Sequence, residues 1–210
     1  MCFSSFRVYA GCAVALLLGG CERPAATFDS YVLSLSWSPQ YCAGERGGGS
    51  PECDGSRSYG FVLHGLWPEA VQESDSQHCL GPSFDAASIT GELRDAMPGD
   101  RLIEHEWATH GTCTGMSQEA YFRTALRAYR MVNIPAAFKA PAAREETTPA
   151  AVRQQFAETN PDFPADAFAL KDEGRFLAEV RVCLTTDLKP RACDRPGDTR
   201  NVSIVVRAVR

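Results

Sequence analysis

The chain holds only four histidines, and three of them stand in two short stretches. One is FVLHGLWPE, residues 61–69, with His64 at its centre. The other is HEWATHGTC, residues 105–113, with His105 and His110. The fourth, His78, sits beside Cys79 and reads as a loop residue. Imidazoles titrate near neutral pH, so two of them can supply the acid and the base of one reaction. If the second stretch is helical, at about 100° per residue, His105, Glu106 and His110 project at roughly 0°, 100° and 140°. They share one arc, and Glu106 lies one turn from His110. A carboxylate at that reach orients an imidazole and raises its pKa. Trp67 and Trp107 stand beside these residues. Histidines without chemistry would not be gathered so densely.

Two rival chemistries fit the spacing poorly. A zinc-protease helix carries its histidines four apart, as HExxH. Here the pattern is HExxxH, which splays the rings by about 140° and spoils shared coordination of one metal. A thiol hydrolase would use Cys113. Yet Cys42, Cys53, Cys79, Cys113, Cys183 and Cys193 form an even set of six behind an export-like leader. Three disulfides are therefore expected, and Cys113 is expected to be oxidised. Spacing does not settle the pairing. We expect Cys42 with Cys53, Cys79 with Cys113, and Cys183 with Cys193. The second of these would tie the two histidine stretches together.

The elements that must position these residues are partly legible. Residues 27–38 alternate, with Tyr31, Leu33, Leu35 and Trp37 on one face, which predicts a strand. Residues 42–58 are rich in Gly, Ser and charge and read as a surface loop. Residues 59–66 predict a second strand. Ile89, Leu93 and Met97 recur every four residues, predicting a helix over 85–97 that Pro98-Gly99 ends. The HEWATHG stretch is expected to be helical throughout. Ser117 reads as the N-cap of a long helix to Met131, with Tyr121, Phe122, Ala125, Leu126 and Tyr129 inward. Residues 135–149 read as a loop, and Thr148-Pro149 starts a helix that Asn160-Pro161 stops. Residues 176–184 and 202–209 predict strands. No repeat or linker divides the chain. The mixture lacks a βαβ rhythm, so an α+β domain with a largely antiparallel sheet is expected.

HGLWP and HEWxxHGTC resemble the two active-site segments of the ribonuclease T2 family. The likeness extends to YVLSLSWSPQYC and to FLAEVRVCLTTDLKPRAC, and so covers most of the chain. It implies a T2-like fold, helices flanking the sheet, and cleavage of single-stranded RNA through a 2′,3′-cyclic phosphate with low base specificity. By that resemblance His110 is the base, His64 the acid, and Glu106 assists at the phosphorus. His105 would hold the scissile phosphate, and Trp67 and Glu69 would contact a base. No cofactor and no metal is implied. One departure stands out: the family commonly has lysine before the last histidine, where this chain has Thr109. Arg57 and Arg101 are candidates to supply that charge. A weakly active or non-catalytic RNA-binding relative is the alternative reading.

The formal net charge is -5, which argues against a protein gripping nucleic acid over a long footprint. It does not argue against an enzyme that holds a few nucleotides in a cleft. Residues 1–21 read as an export signal: Arg7 precedes the apolar run VYAGCAVALLL, too short to span a bilayer. The run ends in LLGGC, so Cys21 is either a lipidated anchor or incidental to ordinary cleavage. Glu22 after it would favour the outer membrane. Residues 22–210 would form the catalytic domain, a monomer in the periplasm or on the outer membrane. No later segment suits a transmembrane helix.

Overall fold

The computed structural model describes residues 28–44, 47–70, 77–195, 197 and 202–209. The expected export segment and Cys21 lie outside these residues. Among them, no helix is long and apolar enough to cross a membrane.

Strand β1 (Ser30–Trp37) buries Tyr31, Leu33, Leu35 and Trp37 on one face, as its alternation requires. Strand β2 (Phe61–Glu69) starts two residues later than expected and continues past Leu66, through Trp67 and Pro68. Pro68 is tolerable because β2 is an edge strand, paired only with β1. Strands β3 (Glu145–Thr147), β4 (Phe168–Glu173), β5 (Phe176–Thr185) and β6 (Ile204–Val206) complete a six-stranded sheet among the described residues. Its order is β2-β1-β5-β6-β3, with β4 also on β5. Every pairing is antiparallel except β5 with β6. The α+β architecture is as expected, while β3 and β4 are additions; β3 falls inside the expected loop.

Five helices flank this sheet among the described residues. Helix α1 (Ser38–Tyr41) is a single turn started by Pro39. The expected helix over 85–97 is instead a 3₁₀ turn, Ala86–Ser88, followed by α2 (Gly91–Ala96). Asp85 and Thr90 each cap a turn of their own, and these two local bonds split the segment. Helix α3 (Asp100–Thr109) starts earlier than the HEWATHG stretch and stops before His110. Helix α4 (Gln118–Met131) is capped by Ser117, and α5 (Pro149–Thr159) by Thr148. Tyr121, Phe122, Ala125 and Leu126 of α4 are buried, with Tyr129 partly so. The core continues through Phe61, Phe138, Phe156 and Phe168, whose rings meet at 5.6–5.9 Å. The disulfides are Cys42–Cys53, Cys79–Cys113 and Cys183–Cys193.

Candidate active site

A bulge in β2 is the first device of the site. Ser34 pairs with Gly65, but Leu35 pairs with Leu63, so His64 is an extra residue in the ladder. Leu63 and Leu66 both remain fully buried. Gly65 and Trp67 therefore share the opposite face, and the bulge re-aims His64 toward it.

Glu106 reaches that face from α3, which packs on β2. Its side chain is 1% exposed. The indole N–H of Trp67 donates to Glu106 Oε2 at 2.8 Å, and Glu106 Oε1 lies 3.5 Å from His64 Nε2. Gly65 makes the approach feasible, because a Cβ there would collide with the Glu106 carboxyl and the Trp67 nitrogen.

His110 enters by its own backbone. It is the first residue past α3, at φ −121° and ψ −44°, so the helical projection expected for it does not apply. Its N–H still donates to Glu106 O at 3.0 Å. Gly111 follows against Trp107 and Tyr121, with no room for a Cβ. The Tyr121 hydroxyl donates to Leu66 O at 3.0 Å, which fixes α4 to β2 behind the site. The Trp67 ring collects both histidines. It stacks on His110 at 5.3 Å and 28°, and meets His64 edge-on at 5.3 Å.

Strand β5 adds two residues that sequence reading missed. Glu179 Oε1 lies 3.6 Å from His64 Nδ1, and Arg181 pairs with Glu179 Oε2 at 2.8 Å. The Arg181 guanidinium sits over the Trp67 ring at 4.9 Å. Alternation of polar Glu179 and Arg181 within an otherwise apolar strand was the available signal.

The chain has known relatives. Residues 28–193 match the sequence profile of the Ribonuclease T2 family. A ribonuclease of Aeromonas hydrophila is 34% identical over 165 residues, which is 78% of this chain and 74% of that one. The chain belongs to the ribonuclease T2 family. A probable ribonuclease of Haemophilus influenzae is 33% identical over 54% of this chain and 47% of its own length. Among solved structures, ribonuclease MC1 from bitter gourd seeds superposes with a TM-score of 0.68 at 25% identity, covering 84% of this chain and 99% of that one. A variant of that enzyme was crystallised with 5′-UMP. This chain is thus a T2-type endoribonuclease.

The electrostatics of this T2 ribonuclease centre on His64. Burial alone would disfavour its charged form, but Glu179 and Glu106 outweigh that, and its pKa is raised. Burial pushes the Glu106 carboxyl up to about 7, against the opposing pull of His64 and the Trp67 N–H. Burial acts on Glu179 in the same direction, yet His64, Arg181 and Lys171 together bring it down to about 2. Two carboxylates on one imidazole are thus driven apart, one toward the neutral acid and one toward the permanent anion.

The remaining candidates are less enclosed. His105 is exposed on α3, with Nδ1 3.5 Å from Thr109 Oγ1. Burial, with His64 and His78 nearby, lowers its pKa. Thr109 is buried, and its carbonyl accepts the His78 N–H at 2.7 Å. Glu69 is half-buried at the end of β2, where its carbonyl accepts the Asp29 N–H. Of the arginines considered for the missing lysine, Arg57 pairs with Asp95 at 2.6 Å and Arg101 is exposed on α3. The cation brought onto the Trp67 ring is Arg181.

Proposed function

We propose that this T2 ribonuclease cleaves single-stranded RNA by transphosphorylation, with His110 as base and His64 as acid. The observation that carries the assignment is His64 between two carboxylates, an environment that favours the imidazolium. His110 takes the proton of the 2′-hydroxyl, whose oxygen attacks phosphorus. The bond from phosphorus to the 5′ oxygen breaks, and His64 gives that oxygen its proton. The products are a 2′,3′-cyclic phosphate and a 5′-hydroxyl. The two histidines then return to their starting forms by exchange with water.

Glu106 acts on a phosphoryl oxygen. With its carboxyl raised to about 7, it is a neutral acid at mildly acidic pH and can donate to charge developing there. His105 binds the phosphate from the outer side, in its charged form only at acidic pH. Trp67 and Glu69 contact the base, and Trp67 also holds Glu106 and His110. None of these steps uses a metal. Three disulfides favour an oxidising compartment, and we infer export to the periplasm, with Cys21 as a lipid anchor on the outer membrane. Mass spectrometry of the membrane fraction would find a lipid-modified Cys21.

The deciding experiment is cleavage of single-stranded RNA in EDTA at about pH 5.5, below the ordinary histidine pKa. Wild type is expected to give 2′,3′-cyclic ends, and His64→Ala and His110→Ala to lose about 10²-fold or more each. Wild-type rates in either variant would overturn the assignment. No cleavage by oxidised wild type would favour a binding role linked to Thr109.

A further inference from the structure

A second concave surface lies beside His64. A cavity of about 110 Å³ is lined by His64 together with Glu179, Gln40 and Glu52. Glu52 also lines a larger cleft of about 450 Å³. Three arginines from distant parts of the chain converge on that cleft: Arg57, Arg144 and Arg207. In a chain of net charge -5, such convergence is not explained by composition.

Two of these arginines, Arg144 and Arg207, are held in place without being neutralised. Arg144 and Arg207 both pack on the Phe176 ring, at 5.4 and 4.0 Å. Arg207 Nε donates to Gln40 Oε1 at 2.7 Å, and Gln40 also lines the cavity at His64. Neither arginine has a carboxylate at ion-pair distance among the described residues. Arg57 does, in Asp95, and lies over the Tyr59 ring at 5.3 Å. Glu52 is the opposing charge in the wall. Burial raises its pKa, against Ser38 and His64, so its anion is disfavoured there.

We propose that this cleft binds a phosphodiester of the RNA strand beyond the scissile bond, with Arg144 and Arg207 as its cations and Tyr59 as a stacking face for the adjoining base. Guanidiniums fixed on an aromatic ring present their N–H edges outward, as phosphate recognition needs. Tyr59 lines the cleft and is half-buried, and unpaired bases of single strands stack on such aromatic side chains. The inference rests on the RNA-cleaving reading of His64 for its choice of ligand.

The test compares two substrates in wild type and in Arg144→Gln/Arg207→Gln. A dinucleoside monophosphate has only the scissile phosphate; a ten-nucleotide RNA reaches the cleft. The double variant should lose about three- to tenfold in kcat/KM on the longer RNA and nothing on the dinucleotide. The slope of log kcat/KM against log salt should flatten by roughly 0.7 for the longer RNA alone, the share of one phosphate contact on a single strand. Arg207 also holds Gln40, so Arg144→Glu alone repeats the comparison with that bond intact. Equal losses on both substrates, or none on either, would overturn the proposal. If wild type cleaves neither substrate, the catalytic reading has failed, and anisotropy of a labelled 2′-deoxy ten-mer decides the cleft. Weaker binding by the variants then supports it, and equal binding refutes it.

Discussion

Glu106 on α3 and Glu179 on β5 face opposite nitrogens of one imidazole: His64 Nε2 lies 3.5 Å from the first and Nδ1 lies 3.6 Å from the second. The two carboxyls are nevertheless pushed in opposite directions. Glu179 shares its charge with Arg181 and Lys171, while among the described residues Glu106 is met by the Trp67 N–H and His64. Glu179 is therefore the lasting negative charge beside Nδ1, and Glu106 the protonatable carboxyl beside Nε2.

Glu179→Gln tests that division directly. The amide keeps the shape and loses the charge, so the His64 imidazolium loses its main support. We expect kcat to fall about tenfold or more, with KM near wild type, and the alkaline limb of the pH–rate profile to move to lower pH. A folded variant with an unmoved profile would remove Glu179 from the mechanism.

Trp67 carries two roles that one substitution separates. Trp67→Phe keeps an aromatic surface and removes the N–H that holds Glu106. We expect kcat to fall about tenfold with KM little changed, whereas Trp67→Ala should also raise KM. If the Phe variant kept its kcat and lost only KM, the bond to Glu106 would be incidental.

Gly65→Ala should act through Glu106. A methyl there meets the carboxyl and the indole nitrogen, so β2 and α3 must separate or Glu106 must turn away. The expected loss is about 1–3 kcal/mol in urea unfolding, with a larger fractional loss of activity. Wild-type stability and rate together would contradict the packing described here.

The same carboxyls set the stability profile. Glu179 is held at about 2 against an ordinary 4.5, so its contribution is present above pH 4.5 and lost as pH falls toward 2. It amounts to at most about 3 kcal/mol. Glu106 runs the other way: between 4.5 and about 7 the folded carboxyl keeps a proton the unfolded one gives up, so stability declines as pH rises. The raised His64 adds to that decline, since its contribution is full below 6.5 and lost as pH passes its folded value. The urea midpoint should therefore be higher at about pH 4.5 than at about pH 8, and Glu106→Gln should flatten the upper arm. A midpoint that rises toward pH 8 would reverse these assignments.

Much of this protein was legible in its residues alone. The density of His64, His105, Glu106 and His110 in two stretches marked the candidate site. Period and capping marked β1, α4 and α5, because Ser117 and Thr148 act through bonds made within one turn. The even cysteine set marked the disulfides. What only the tertiary structure decided was how those parts face one another. The bulge at His64 depends on β1 holding Leu63 and Leu66 to the core face. The end of α3 at Thr109, which turns His110 onto Trp67, depends on Gly111 wedged between Trp107 and Tyr121. Glu179, more than a hundred residues from His64, could not be joined to it by any local pattern. Periodicity reports which face a side chain takes within its own element. A charge's partner, and hence its pKa, is set by elements that meet only when the chain has folded.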